Sequence, residues 1–242
     1  MAQSNRFVFG GESSLDYGLY VLEHSTFGAP ERAVTEQEVP GRNGVLLIDN
    51  GYYKNRAIKY KTWLDTPKAE DRGPWSRNLA AWLLSSPGEY RELYDSYDPD
   101  YCKLAYFKGG LDMSAADTPV LQQTIEFSCK PFQYLRSGLN LREVNSGDSL
   151  INPHRFPALP YIKITGSGNV TLSVGNSSWT FSGITDYIEI DSERMATYKG
   201  TLLQNQVKHG DGYPQLDIGN TGISWSGGTV QKVEIIPRWR TL

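Results

Sequence analysis

The chain has 242 residues, with 24 Lys and Arg against 27 Asp and Glu for a formal charge of -3 and a pI near 5.7; this balance excludes a protein that coats nucleic acid through clustered cations. Hydrophobic residues at 39% and charged residues at 21% exclude intrinsic disorder, and the length suffices for one large or two modest domains, each with its own core. With 24 Gly, 13 Pro and 15 Tyr, the composition favours strands and turns over helices, so a mainly β protein is expected.

Met1 to Arg6 lead into no apolar core of signal-peptide length, and no run reaches the roughly 18 apolar residues of a membrane span. Synthesis in a cytoplasm and no membrane insertion are expected. Arg6 to Phe9 reads as a short strand ended by Gly10-Gly11, and Asp16 to Leu22 as a second, with Tyr20 and Leu22 on one face. Arg32 to Val39 alternates without an apolar face, as suits a sheet edge or a partner contact. Pro40 to Gly44 forms a turn or exposed loop. Asn50-Gly51, which tolerates positive φ, predicts a tight hairpin turn between Val45–Ile48 and the strand Arg56 to Leu64.

Glu70 to Ser85 is the one convincing helix. Pro74 suits a first turn, Glu70 and Asp71 sit near the positive end of the dipole, and Trp75, Leu79, Trp82 and Leu83 recur at i, i+4, i+7 and i+8. Aromatic residues at that spacing pack into a core more often than they bind sugar. Pro87-Gly88 stops the helix. Glu89 to Asp95 and Tyr101 to Lys108 follow as strands, joined by a turn whose Asp95, Asp98 and Asp100 lack the glycine and terminal Glu of a calcium loop and read as solvated. Gly109 to Thr118 is a polar loop.

From Leu121 to Cys129 apolar and polar side chains alternate as in a half-buried strand. Pro131 removes a backbone donor, so ladder pairing is expected to stop there or move to an edge, and the composition changes just beyond. A domain boundary is therefore expected between residues 135 and 136. Cys102 and Cys129 read as buried free thiols rather than a disulfide, since they lack CxxC spacing and adequate core size leaves no need for a staple.

Residues 136 to 242 hold short strands punctuated by Gly, Asn, Ser or Asp: Tyr161–Thr165, Asn169–Val174, Ser178–Phe181, Tyr187–Ile190, Met195–Tyr198, Gln215–Ile218, Gly222–Trp225 and Thr229–Ile236. That cadence marks a sandwich or small barrel. Val170, Leu172 and Val174 face one way and Thr171 and Ser173 the other, giving one core face and one wet face. The sequons at Asn169 and Asn176 would matter only in a secreted eukaryotic protein.

The search for chemistry returns little. No Gly-rich phosphate loop follows a strand, no Ser sits in a nucleophile elbow, and His24, His154 and His209 lack partners at catalytic or metal-ligand spacing. His209-Gly210-Asp211 is the most site-like triplet and reads as a solvent-facing loop. No catalytic residue, cofactor or metal is expected. Trp179, Trp225 and Trp239 are candidates for an aromatic carbohydrate platform, with core packing or strand-end filling as the blander reading.

Four stretches in order carry a resemblance. They are Val39-Pro40-Gly41-Arg42-Asn43-Gly44 with Leu46 to Tyr53, Phe127-Ser128-Cys129-Lys130-Pro131-Phe132-Gln133-Tyr134, Ile190 to Met195, and Pro214-Gln215-Leu216 before Asn220 to Trp225. Together the chain resembles the distal tail proteins of long-tailed phages over nearly its whole length. The resemblance implies residues 1–135 as a β module with one helix that assembles into a hexameric ring, and residues 136–242 as an outward galectin-like β-sandwich. It further implies a structural protein of the virion tail tip, made in the host bacterial cytoplasm, whose ring joins the tail-tube protein to the tail-tip hub. The sandwiches would carry or brace receptor-binding or fibre proteins, and DNA would pass through the lumen without specific binding, which suits a weakly acidic chain. A carbohydrate-binding module that contributes to host adhesion is the alternative.

Overall fold

A computed structural model of the chain describes residues 5–24, 28–65, 68–85, 88–111 and 120–242. Strands hold 57% of the residues and the described residues contain one α-helix, so the protein is mainly β as its composition predicts. The chain divides into two compact units, Met1–Gln133 with Leu242, and Tyr134–Thr241.

The first unit contains β1 (Phe7–Phe9), β2 (Glu12–Ser13), β3 (Leu19–His24), β4 (Arg32–Glu38), β5 (Val45–Tyr53), β6 (Arg56–Asp65), α1 (Arg72–Leu84), β7 (Arg91–Asp95), β8 (Tyr101–Phe107) and most of β9 (Val120–Leu135). One sheet runs in the order β2-β1-β7-β8-β9-β6-β3. β6 and β9 pair antiparallel without a register break from Arg56↔Cys129 to Asp65↔Val120. Period-two alternation therefore sets Ile58, Tyr60 and Leu64 beside Ile125, Phe127 and Cys129 on one buried face. On β3 the inward residues are Leu19 and Val21, which leaves Leu22 exposed.

Helix α1 contributes Leu79, Trp82 and Leu83 to this core while Trp75 stays half-buried. Trp82 stacks on Tyr17 with ring centroids 4.4 Å apart, and its indole N–H donates to the Phe9 carbonyl at 3.2 Å. The helical spacing of these rings thus serves packing, as the periodicity predicts. Pro87 lies outside the described residues, and so does the loop at 112–119.

Several local expectations give way to longer-range contacts. Asp16 and Tyr17 form a 3-10 turn, Ser14–Tyr17, instead of opening a strand. The Ser13 hydroxyl accepts from the Leu15 N–H at 3.3 Å, and Asp16 Oδ2 accepts from the Ser13 N–H at 3.1 Å, a reciprocal cap that outcompetes extension. The pairing of β9 with β6 stops at Cys129, two residues before the missing donor of Pro131, while the strand itself runs on to Leu135. Both cysteines are free and buried, and burial pushes the Cys102 thiol up to about 11 and the Cys129 thiol up to about 12.

Asp95 is the largest departure from expectation. Instead of lying in a solvated turn with Asp98 and Asp100, it is 4% exposed. Its carboxylate accepts from the Tyr60 hydroxyl at 2.8 Å, the Lys103 ammonium at 3.0 Å, and the Tyr97 and Asp98 N–H groups at 3.1 and 2.9 Å. Burial pushes this carboxyl up, but Lys103 and the hydrogen bonds outweigh it and hold it below its ordinary value.

The second unit contains β10 (Arg142–Val144), β11 (Ser149–Asn152), β12 (Tyr161–Val174), β13 (Ser177–Ile184), β14 (Tyr187–Asp191), β15 (Ala196–Lys199), β16 (Leu202–Leu203), β17 (Lys208–His209), β18 (Gly219–Ser226) and β19 (Thr229–Ile236). Its organiser is β12, one strand of 14 residues where two shorter ones are expected. The first half, Tyr161–Thr165, pairs with β14 and β19, and the second, from Thr171 to Val174, pairs with β13 and β18. Register shifts near Gly166 and Gly168 turn the strand from one sheet into the other. Ile162, Ile164, Val233 and Ile235 then share a core with Val170, Leu172, Phe181 and Ile223. Gln215 to Ile218 forms no strand; Leu216 is buried and makes a single bridge to Ala158.

The corner requires glycine. A Cβ on Gly166 would stand 2.2 Å from the Thr229 carbonyl oxygen, a backbone atom that no rotamer change can move. Gly166→Ala is expected to cost about 2 kcal/mol through overpacking, read as a lower urea midpoint with an unchanged slope.

Candidate functional site

Strands β4 and β5 form a two-stranded sheet of their own. Glu38↔Val45, Glu36↔Leu47 and Val34↔Asp49 are cross-strand neighbours on one face, and Gln37↔Leu46 and Thr35↔Ile48 on the other. The chain reverses at Pro40–Gly44, where the Arg42 N–H donates to the Val39 carbonyl at 3.1 Å. Asn50-Gly51 is therefore not the hairpin turn. It lies inside β5 at a register shift opposite Ala33, where Gly51 takes φ +78° and donates its N–H to Asp49 Oδ1 at 2.9 Å. The same positive-φ chemistry that permits a turn here makes a bulge.

The ribbon has no core. β5 carries no buried residue, and Leu47 is 64% and Tyr52 58% exposed. Polar clasps hold the two strands together: Arg32 Nε donates to Asp49 Oδ1 at 2.9 Å, the Arg32 guanidinium lies 4.7 Å over the Tyr53 ring, and Asn50 Nδ2 donates to Thr35 Oγ1 at 3.0 Å. The Arg32 hydrogen bond, with help from the Gly51 N–H, holds the Asp49 carboxyl below its ordinary value. A lone two-stranded hairpin is marginal in water, and a contiguous aliphatic strand wet on both faces is the surface that a partner covers. The polar character of β4 is legible in the sequence. The exposure of β5 is not, because Val45-Leu46-Leu47-Ile48 reads like any buried strand.

The candidate tryptophans fall in different settings. Leu172 pairs with Trp179 on one side and Trp225 on the other, so these three share a row on the core side of the sheet. Trp179 is 4% exposed and donates its indole N–H to the Asp211 carbonyl at 2.9 Å. Trp225 is half-buried against the core. Trp239, also 4% exposed, lies outside that row and accepts the Leu135 N–H at its carbonyl, 2.9 Å away. Of the three, only Trp225 is more than marginally exposed.

His209-Gly210-Asp211 frames Trp179: His209 pairs with Thr180 in the sheet, and Asp211 supplies the carbonyl that seats the indole. His24 packs its ring on Tyr97 at 4.3 Å. Among the described residues no three His, Cys, Asp or Glu side chains converge as metal ligands, and no helix is long and apolar enough to cross a membrane.

A cavity of about 590 Å³ opens in the first unit, with Asp95, Lys103, Arg56, His24, Asn55 and Gln133 in its walls. Most of its charged groups have partners, although the buried Arg56 Nε has no hydrogen-bond partner. Asp95 and Lys103 pair with each other, and the Arg56 guanidinium donates to the Gly28 carbonyl and, at 3.1 Å, to Gln133 Oε1. No nucleophile is held against a base there, and the exposed ribbon remains the surface whose chemistry calls for a partner.

No protein-family model and no curated protein matches the chain. Solved structures do. The chain is similar to the Dit protein (gp 19.1) of phage SPP1, described as a paradigm of the hub adsorption apparatus in phages that infect Gram-positive bacteria, with TM-score 0.76 and 12% identity over 99% of this chain and 100% of that one. It is also similar to a chain of the phage P2 baseplate in its activated conformation with Ca, with TM-score 0.51 and 10% identity over 96% and 97% of the two chains, and equally to one of that baseplate with Sr. The likeness to these hub and baseplate proteins is one of fold and extends over nearly the whole chain.

Proposed function

We propose that the protein is a structural component of a phage tail tip, a distal tail protein that forms a hexameric ring between the tail tube and the tail-tip hub. The observation that carries this reading is the reach of the fold likeness, which spans both units of this chain and all of the SPP1 Dit chain. In this reading residues 1–135 build the ring. Residues 136–242 form a galectin-like sandwich that braces receptor-binding or fibre proteins, and β12, passing between two sheets over a shared core, supports that part of it. The exposed β4–β5 ribbon supplies the intersubunit surface a ring requires. A net charge of -3 suits a lumen through which DNA slides without being held. The role is structural and involves no catalysis.

Light scattering across protein concentration tests this directly. A closed symmetric ring gives one discrete hexameric mass above a threshold concentration, and negative-stain images show six-fold particles with an open centre. A stable monomer at every concentration overturns the reading.

A further inference from the structure

The side chains in the walls of the first unit's cavity leave one positive charge without a counter-charge. Besides His24, which packs on Tyr97, the titratable side chains there are Glu31, Arg56, Asp95 and Lys103. Glu31 pairs with Lys54 at 3.2 Å, and Asp95 pairs with Lys103 at 3.0 Å. The half-buried Arg56 forms no ion pair among the described residues: its guanidinium donates to the Gly28 carbonyl and to Gln133 Oε1, both uncharged. Asp98, outside the walls, feels the charge of both cations but pairs with neither. Arg56 and Lys103 also pull together on the Cys129 thiol, against the burial that raises it, so their fields overlap at this end of the unit. A partly buried cation without a counter-charge is costly, and an anion that supplies one is bound.

The donors and the space narrow the class of anion. Of the five N–H groups of a guanidinium, two are spent on Gly28 and Gln133, and the one on Nε is buried and unpaired. One remains on each terminal nitrogen, and two donors on one planar cation match the two oxygens of a carboxylate. A single uncompensated charge suits a monoanion, and Asp95 in the same walls repels the second charge of a phosphate dianion. The walls continue into Ala29, Pro30, Ala57 and Ile58, and the volume of about 590 Å³ is that of a small-molecule site. The anion therefore has room for a short apolar body.

We propose that this cavity binds a small organic monocarboxylate, its carboxylate held by the Arg56 guanidinium and its body against Ala29 and Pro30. Every wall residue belongs to one unit of one copy, so the site does not depend on the ring reading. Sodium acetate and sodium benzoate are the probes, each titrated against the full chain at an ionic strength held constant with sodium chloride. The thermal midpoint of the wild type is expected to rise and saturate with both. Benzoate acts at a concentration about tenfold lower, because its ring covers apolar wall. Arg56→Gln keeps a donor and removes the charge, and it is expected to raise the concentration of either probe needed about tenfold or more. Ala29→Trp leaves Arg56 in place and fills part of the space, and it is expected to weaken benzoate more than acetate; it serves as the test if Arg56→Gln does not fold. No saturating rise in the wild type, or the same rise in the folded variants, overturns the site. Inorganic phosphate acting at concentrations as low as benzoate overturns the carboxylate assignment.

Discussion

Asp95→Ala is expected to destabilise the protein by about 3–5 kcal/mol, since it leaves the Lys103 ammonium in the core without its counter-charge. The side chains of Lys103 and Asp95 are 7% and 0% exposed, so water cannot replace the missing carboxylate, and the Tyr60 hydroxyl together with the Tyr97 and Asp98 N–H groups loses its acceptor in the same step. Burying two charges is itself costly, so the pair is worth far less than the damage done by removing one member. The double variant Asp95→Leu/Lys103→Met is therefore expected to recover most of the loss, and urea denaturation at pH 7 of the wild type, both single variants and the double variant measures the coupling. A double variant as unstable as Asp95→Ala would show that shape or hydrogen bonding, and not the orphaned charge, sets the cost.

The same group makes a pH prediction. The folded-state pKa of Asp95 lies below the ordinary carboxylate value of about 3.9. Its contribution is fully present above that value and is lost as pH falls through the folded pKa. The stability difference between wild type and Asp95→Ala, large at pH 6, should accordingly shrink as the pH drops below about 4.

Asp191→Ala is the corresponding test in the second unit, with an expected cost of about 3 kcal/mol. The Asp191 carboxylate receives both forks of the Arg238 guanidinium, at 2.6 and 3.1 Å, and the Glu193 and Arg194 N–H groups at 3.1 and 3.2 Å. Arg238 stands at φ +55°, a region costly for a residue with a Cβ, and this clasp helps to hold it there. Since the Arg238 side chain is 20% exposed, water can partly take over when the acid is removed, which places the effect below that at Asp95. Burial pushes the Asp191 carboxyl up, and the Arg238 hydrogen bonds and charge outweigh that. Its contribution too is lost in acid, as pH falls through the depressed pKa. A loss under 1 kcal/mol in thermal or urea denaturation would mean that the Arg238 conformation is fixed by its neighbours alone.

Wherever one face of an element is buried, its pattern is legible in the chain. The alternation of Val170, Leu172 and Val174 and the i, i+4, i+7, i+8 spacing of Trp75, Leu79, Trp82 and Leu83 name the inward side chains, because side-chain direction follows from strand and helix periods alone. Free buried cysteines follow from spacing and size in the same way. Turn chemistry is legible only as permission. Asn50-Gly51 can adopt positive φ, but whether that makes a turn or a bulge depends on which strand lies opposite, and β4 lies opposite.

For the candidate site, the sequence by itself determined that Arg32 to Val39 has no apolar face, and it left Pro40–Gly44 as a turn or an exposed loop. Only the tertiary structure decided that the aliphatic β5 is exposed, that the chain reverses at Pro40–Gly44 and not at Asn50-Gly51, and that Asp95 is buried against Lys103 and Tyr60. The physical reason is the same in each case. Hydrophobicity and charge are properties of a residue, whereas burial and pairing belong to what another segment, distant in the chain, places against it.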